Sequence, residues 1–93
     1  MTSPSQHSDV TVYWRPGCGF CTALLSRLAG SDLAYETVNI WEDEHAAAYV
    51  RSVARGNETV PTVRIGDVAL VNPSYRQLVE AATGEQTRRR FFR

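Results

Sequence analysis

The amino-acid sequence predicts an α/β fold, a mixed four-stranded sheet with helices on both faces in the order β-α-β-α-β-β-α. Three observations carry this expectation. In the first half of the chain, β-branched or alternating runs take turns with runs of helical spacing. Breaks containing glycine or proline separate them. In the second half, two short apolar runs meet at Gly66-Asp67, a hairpin signal, and one more helical stripe follows.

The elements follow in order. Val10-Thr11-Val12-Tyr13-Trp14 is β-branched and aromatic, which suits a buried strand, and Pro16-Gly17 breaks it. Cys21, Leu24, Leu25 and Leu28 then recur at i, i+3, i+4 and i+7, an amphipathic helix of about three turns. Gly30 is placed to end it. Tyr35 to Ile40 alternates as a second strand. Ala46, Tyr49, Val50 and Val53 form the stripe of a second helix. Glu42, Asp43 and Glu44 stand at its positive end, and Gly56-Asn57 stops it. Thr62 to Ile65 and Val68 to Val71 are short strands around a glycine-first turn. Asn72 is the expected cap of a third helix, with Pro73 in its first position. Tyr75, Leu78, Val79 and Ala82 supply its apolar stripe, and Thr83-Gly84 its expected stop. The βαβ half requires parallel strands and a right-handed crossover. With the hairpin and last helix, this is a thioredoxin-like plan.

At 93 residues the chain suits one domain. Residues 1–9 read as a flexible tail, 10–83 as the domain, and 84–93 as a basic tail carrying Arg88-Arg89-Arg90-Phe91-Phe92-Arg93. That tail is either disordered or a docking segment for a partner or anionic surface. Apolar residues make up 43% and charged residues 22%, with a formal net charge of zero. No global electrostatic argument for nucleic acid or a membrane surface follows. The apolar runs are too short to span a bilayer, and the polar N-terminus lacks a secretory pattern. A cytoplasmic monomer is expected.

The two cysteines, Cys18 and Cys21, are three positions apart. A disulfide closing so short a loop removes little entropy from the unfolded chain, so a structural staple is a poor reading. Redox chemistry or metal binding remains. Zinc needs about four ligands. The only added imidazoles are His7, in the loose tail, and His45, on a charged helix face, so no metal is expected. Residues three apart on a helix face lie about 5–6 Å from each other, within disulfide range. Cys18 falls at the start of a helix, where unpaired N–H groups and the dipole favour a thiolate, and Arg15 can add a full positive charge. Thiols at such sites typically ionise between about 3.5 and 7.5. Cys18 is therefore expected to be ionised and exposed. Cys21 lies on the Leu24/Leu25/Leu28 stripe, half buried and protonated. Cys18 attacks first and Cys21 resolves.

Arg15-Pro16-Gly17-Cys18-Gly19-Phe20-Cys21 and Thr59-Val60-Pro61 resemble the motifs of the glutaredoxin family, over about residues 10–83 and most closely its mycoredoxin branch. The resemblance implies that Arg15 and Phe20 help hold a thiol substrate. It also implies that the peptide bond before Pro61 is cis, and that Val60, between Thr59 and Pro61, offers its backbone to the bound thiol. A proline cannot sit inside a central ladder, which agrees with a turn at Pro61. Gly19-Phe20 replaces the family's common Pro-Tyr, and Val71-Asn72-Pro73-Ser74 replaces a Gly-Gly-x-Asp-type segment that grips glutathione. Asn-Pro-Ser there, with Gly56 to Val63, is similar to mycoredoxins. Asn72 and Ser74 cap the helix, receive the thiol's polar end, or do both. The implied activity is reduction of mixed disulfides between protein cysteines and a low-molecular-weight thiol, mycothiol or glutathione, as co-substrate, with no bound cofactor. The partners are that thiol and S-thiolated proteins. Two alternatives stand beside it: an electron donor of the ribonucleotide-reductase redoxin type, and an iron–sulfur cluster carrier bridging two chains through Cys18. Trp14 either joins the core or walls the thiol groove.

Overall fold

The computed structural model describes residues 9–91, with side chains described as far as Gly84. The elements are β1 (Val10–Trp14), α1 (Gly19–Ala29), β2 (Glu36–Asn39), α2 (Glu44–Val53), β3 (Thr62–Ile65), β4 (Val68–Val71) and α3 (Tyr75–Phe91). The sheet order is β2-β1-β3-β4. β1 pairs in parallel with β2, and antiparallel pairings join β1 to β3 and β3 to β4.

β1 is central, so both of its faces are covered. Val10 and Val12 pack with Leu24, Leu28, Val63, Ile65 and Leu78, a core shared by α1, α3 and the sheet. Tyr13 points the other way, into a cluster with Ile40, Ala46, Ala47, Val50 and Ala54 beneath α2. The strand period of two thus builds two cores from one strand. Asp43 caps α2, its carboxylate accepting the Ala46 N–H at 3.1 Å. Ile65 pairs with Val68 across a two-residue turn in which Gly66 has φ +59°, a conformation that favours glycine.

Three expectations need correction. The cap of α3 is Ser74, not Asn72. The Ser74 hydroxyl accepts the Gln77 N–H at 3.1 Å, and the Gln77 side chain accepts the Ser74 N–H at 2.8 Å. This reciprocal pair is a capping box, which Asn72-Pro73 cannot form. Asn72 instead takes φ +54°, a left-handed turn that asparagine tolerates. Second, α3 does not stop at Thr83-Gly84 but runs on to Phe91, so residues 84–91 are helical. Gly84 has no positive φ, and the Glu, Gln and Arg residues beyond it are good helix formers. Third, β2 is shorter than Tyr35–Ile40. Residues 1–8, most of the expected N-terminal tail, and 92–93 lie outside the described residues. Among the described residues no helix is long and apolar enough to cross a membrane.

Candidate active site

β1 ends at Trp14, and the chain turns through Arg15-Pro16-Gly17 into α1. Gly17 has φ +79°, which makes this tight turn possible without a Cβ penalty. Cys18 is the N-cap of α1, with extended backbone (φ −101°, ψ 106°). Its sulfur accepts the Cys21 N–H at 3.1 Å, taking the place that an oxygen fills in an ordinary cap. The same thiol donates to the Val60 carbonyl at 3.6 Å. Cys18 therefore bridges the helix start and the loop before β3.

The expectation that Cys18 is exposed is corrected: it is only 8% exposed. The N-cap bond turns its sulfur over the first turn of α1, and Val60 closes the other side. It belongs to neither core cluster. Cys21 is 1% exposed, more deeply buried than the half-buried position expected, because it lies on the inward stripe with Leu24 and Leu28. Burial, and then the hydrogen bond with Cys18, push the Cys21 thiol up to about 12. The Arg15 backbone N–H and charge pull the other way without prevailing. A thiol so held is a poor free nucleophile. The two cysteines are not bonded to each other.

The Val60–Pro61 bond is cis, as the resemblance implies. The Thr62 hydroxyl donates to the Thr59 carbonyl at 2.7 Å. The Asn72 N–H donates to the Pro61 carbonyl at 2.8 Å, tying the end of β4 to the Thr59-Val60-Pro61 turn. Cys18, Val60, Pro61 and Asn72 are thus connected by hydrogen bonds or direct chain succession.

Two cavities flank α1. One, of about 170 Å³ between α1 and the start of α3, is lined by Phe20, Arg27, Asn72, Ser74 and Tyr75 among others. The other, of about 340 Å³, is lined by Trp14, Arg15, Cys21, Thr22 and Leu25 among others. Trp14 is half-buried and walls this second groove rather than joining a core cluster. The Arg15 guanidinium donates to the Pro16 carbonyl at 3.0 Å and lies 5.7 Å from the ring centroid of Trp41. The structure therefore gathers Phe20, Asn72 and Ser74 around one cavity and places Arg15 on the other. Phe20, 73% exposed, projects from the first turn of α1.

Sequence reasoning missed two cavity residues, Arg27 and Tyr75. The signal for Arg27 was present, since it stands seven residues after Phe20 on one helix stripe. Its meeting with Tyr75 is a tertiary contact with no local signature. His45 is exposed, and His7 lies outside the described residues. Among the described residues no group of three or more His, Cys, Asp or Glu is arranged to hold a metal.

Comparison with known proteins agrees with this arrangement. The glutaredoxin family model matches residues 10–71. A protein of Mycobacterium tuberculosis named for the glutaredoxin family is 42% identical over 66 residues, covering 70% of this chain and 79% of the relative. Mycoredoxin 1 of Corynebacterium glutamicum is 42% identical over 60 residues, covering 64% and 73%. Among solved structures, the glutaredoxin of Archaeoglobus fulgidus superposes with a TM-score of 0.67 at 23% identity, covering 86% of this chain and 92% of the other. The holo form of glutaredoxin C1 from Populus tremula x tremuloides gives 0.59 at 22% identity, covering 89% and 82%. These two structures establish the thioredoxin-like fold. With the family match spanning β1 to β4 and both cysteines in place, the chain belongs to the glutaredoxin family of thiol–disulfide oxidoreductases.

Proposed function

We propose that this glutaredoxin reduces mixed disulfides between protein cysteines and a low-molecular-weight thiol, with mycothiol the favoured thiol and glutathione the alternative. The observation that carries the reading is the pairing of unequal thiols at one helix start. The Cys18 sulfur meets the Cys21 N–H at 3.1 Å and the Val60 carbonyl at 3.6 Å. Cys21 is held behind it, buried and protonated. Mycothiol is favoured by the 42% identity to a mycoredoxin and by Asn72-Pro73-Ser74 in place of a Gly-Gly-x-Asp-type segment.

The Cys18 thiolate attacks the small thiol's sulfur in the mixed disulfide. The protein cysteine leaves as a thiolate and takes a proton, and the small thiol remains bonded to Cys18. A second small-thiol molecule, as thiolate, attacks that sulfur and displaces Cys18 as a thiolate; the small thiol supplies both electrons and leaves as its oxidised dimer. In a side path Cys21 gives up its proton, attacks Cys18 and expels the small thiol, leaving a Cys18–Cys21 disulfide. Phe20, Thr59, Val60, Pro61, Asn72 and Ser74 form the seat of the small thiol, and Arg15 adds positive charge from the neighbouring groove. The chemistry suits a monomer in a reducing cytoplasm.

The test compares turnover of a mycothiolated and a glutathionylated peptide. Cys18→Ser is expected to abolish reduction of both, and Cys21→Ser to keep most of it, with mycothiol giving the higher kcat/KM. Turnover that survives Cys18→Ser would sink the reading.

A further inference from the structure

Arg15 belongs to the active-site motif, but Arg27 does not. Arg27 stands in the last turn of α1, where its charge suits the helix dipole. Its surroundings point to more than that. The Arg27 guanidinium lies 4.4 Å from the centroid of the Tyr75 ring, well inside cation–π range. Both residues line the cavity that Phe20, Asn72 and Ser74 share. Among the described residues no carboxylate pairs with Arg27. The first turn of α3, which borders the same cavity, contains no acidic residue. This end of the cavity is therefore rich in donors and positive in charge, without a built-in counter-charge. Stacking on a ring engages the flat face of a guanidinium and leaves N–H donors along its edge.

Distance adds a second constraint. Nine residues of helix separate Cys18 from Arg27, a rise of roughly 13 Å. Long helical side chains lean back towards the N-terminus, which shortens that gap without closing it. A two-carbon thiol cannot span that gap, whereas a thiol the size of a tripeptide or a pseudodisaccharide can.

We propose that Arg27, braced by Tyr75, is a specificity-determining residue that grips the oxygen-rich far end of an elongated small thiol whose sulfur stands at Cys18. The inference rests on the reading of Cys18 given above and deepens it. Carboxylate and hydroxyl oxygens both accept from a guanidinium edge, so the ligand chemistry is an acceptor-bearing tail, and the two thiols tested below distinguish its sources.

The experiment uses the full chain with Cys21→Ser and mixed disulfides of one peptide with mycothiol, glutathione and cysteamine. The readout is the ratio of kcat/KM for each long thiol to that for cysteamine. Arg27→Gln is expected to lower this ratio about tenfold for at least one long thiol, mainly through KM, the scale of one charge-assisted hydrogen bond. Tyr75→Ala is expected to lower it similarly, and Tyr75→Phe, which keeps the ring, to recover most of that loss. A fall for mycothiol alone identifies hydroxyl acceptors, and a fall for glutathione alone identifies carboxylates. An unchanged ratio in Arg27→Gln overturns the clamp, as does an equal loss with cysteamine, while Cys18-dependent turnover still stands. Failure of the unsubstituted chain to reduce any of the three disulfides overturns the oxidoreductase reading, and the clamp with it.

Discussion

Replacing Cys18 by serine leaves Cys21 as the single thiol and allows its seclusion to be measured directly. In the folded chain Cys21 is 1% exposed. Its thiol is pushed from 9.0 up to about 12, first by burial and then by the hydrogen bond with Cys18. A rise of that size makes the thiolate fraction about a thousandfold smaller at any pH below the ordinary value. The substitution removes the second cause but leaves burial, which is the larger one. The assay is alkylation by iodoacetamide at pH 8, followed by intact mass, with the same chain unfolded in guanidinium chloride as reference. Native Cys21 is expected to react at least about a hundredfold more slowly than the unfolded reference, since only the thiolate is nucleophilic. A native rate within tenfold of the reference would refute the burial argument. The same raised value has a consequence for stability. The native chain keeps a proton that the unfolded chain releases above the ordinary value of 9.0. This contribution is whole below that pH and is lost as pH rises towards 12, by up to about 1.4 kcal/mol per pH unit. Denaturant melts at pH 8 and pH 10 should show the alkaline loss, and Cys21→Ala should reduce it.

Two further substitutions test how the site is held. Ser74→Ala removes the acceptor of the Gln77 N–H at 3.1 Å and should cost about 1 kcal/mol, seen as a fall in Tm of about 4–8 °C; an unchanged Tm would mean that the capping box contributes nothing. Gly17→Ala forces a Cβ onto a residue at φ +79° and should cost about 1–2 kcal/mol. The new Cβ would meet only Arg15 Nη1 at 3.8 Å, an ordinary contact, so the loss belongs to the backbone. Gly19→Ala, with no neighbour within 4 Å of its Cβ and no positive φ, is the control and should not lower Tm.

Local pattern determined most of the fold. The β-branched run at Val10–Trp14, the Cys21/Leu24/Leu28 stripe and the glycine-first turn at Gly66 each depend on residues within a few positions of one another, and each is where the sequence places it. The burial of Cys21 was also legible, because an inward stripe is a property of one short segment. Other features depended on partners far away in the chain. The Val60 carbonyl, 42 residues from Cys18, closes over a sulfur that local reasoning leaves open to solvent. The choice of Ser74 over Asn72 as cap follows from where β4 ends, since the Pro61 carbonyl draws the Asn72 N–H into a turn. Gly84 fails to end α3 because it takes no positive φ and is followed by good helix formers. Arg27 and Tyr75 meet only because α1 and α3 pack on the same face of the sheet. Periodicity reports which way a side chain points; which distant group it then meets is decided by packing.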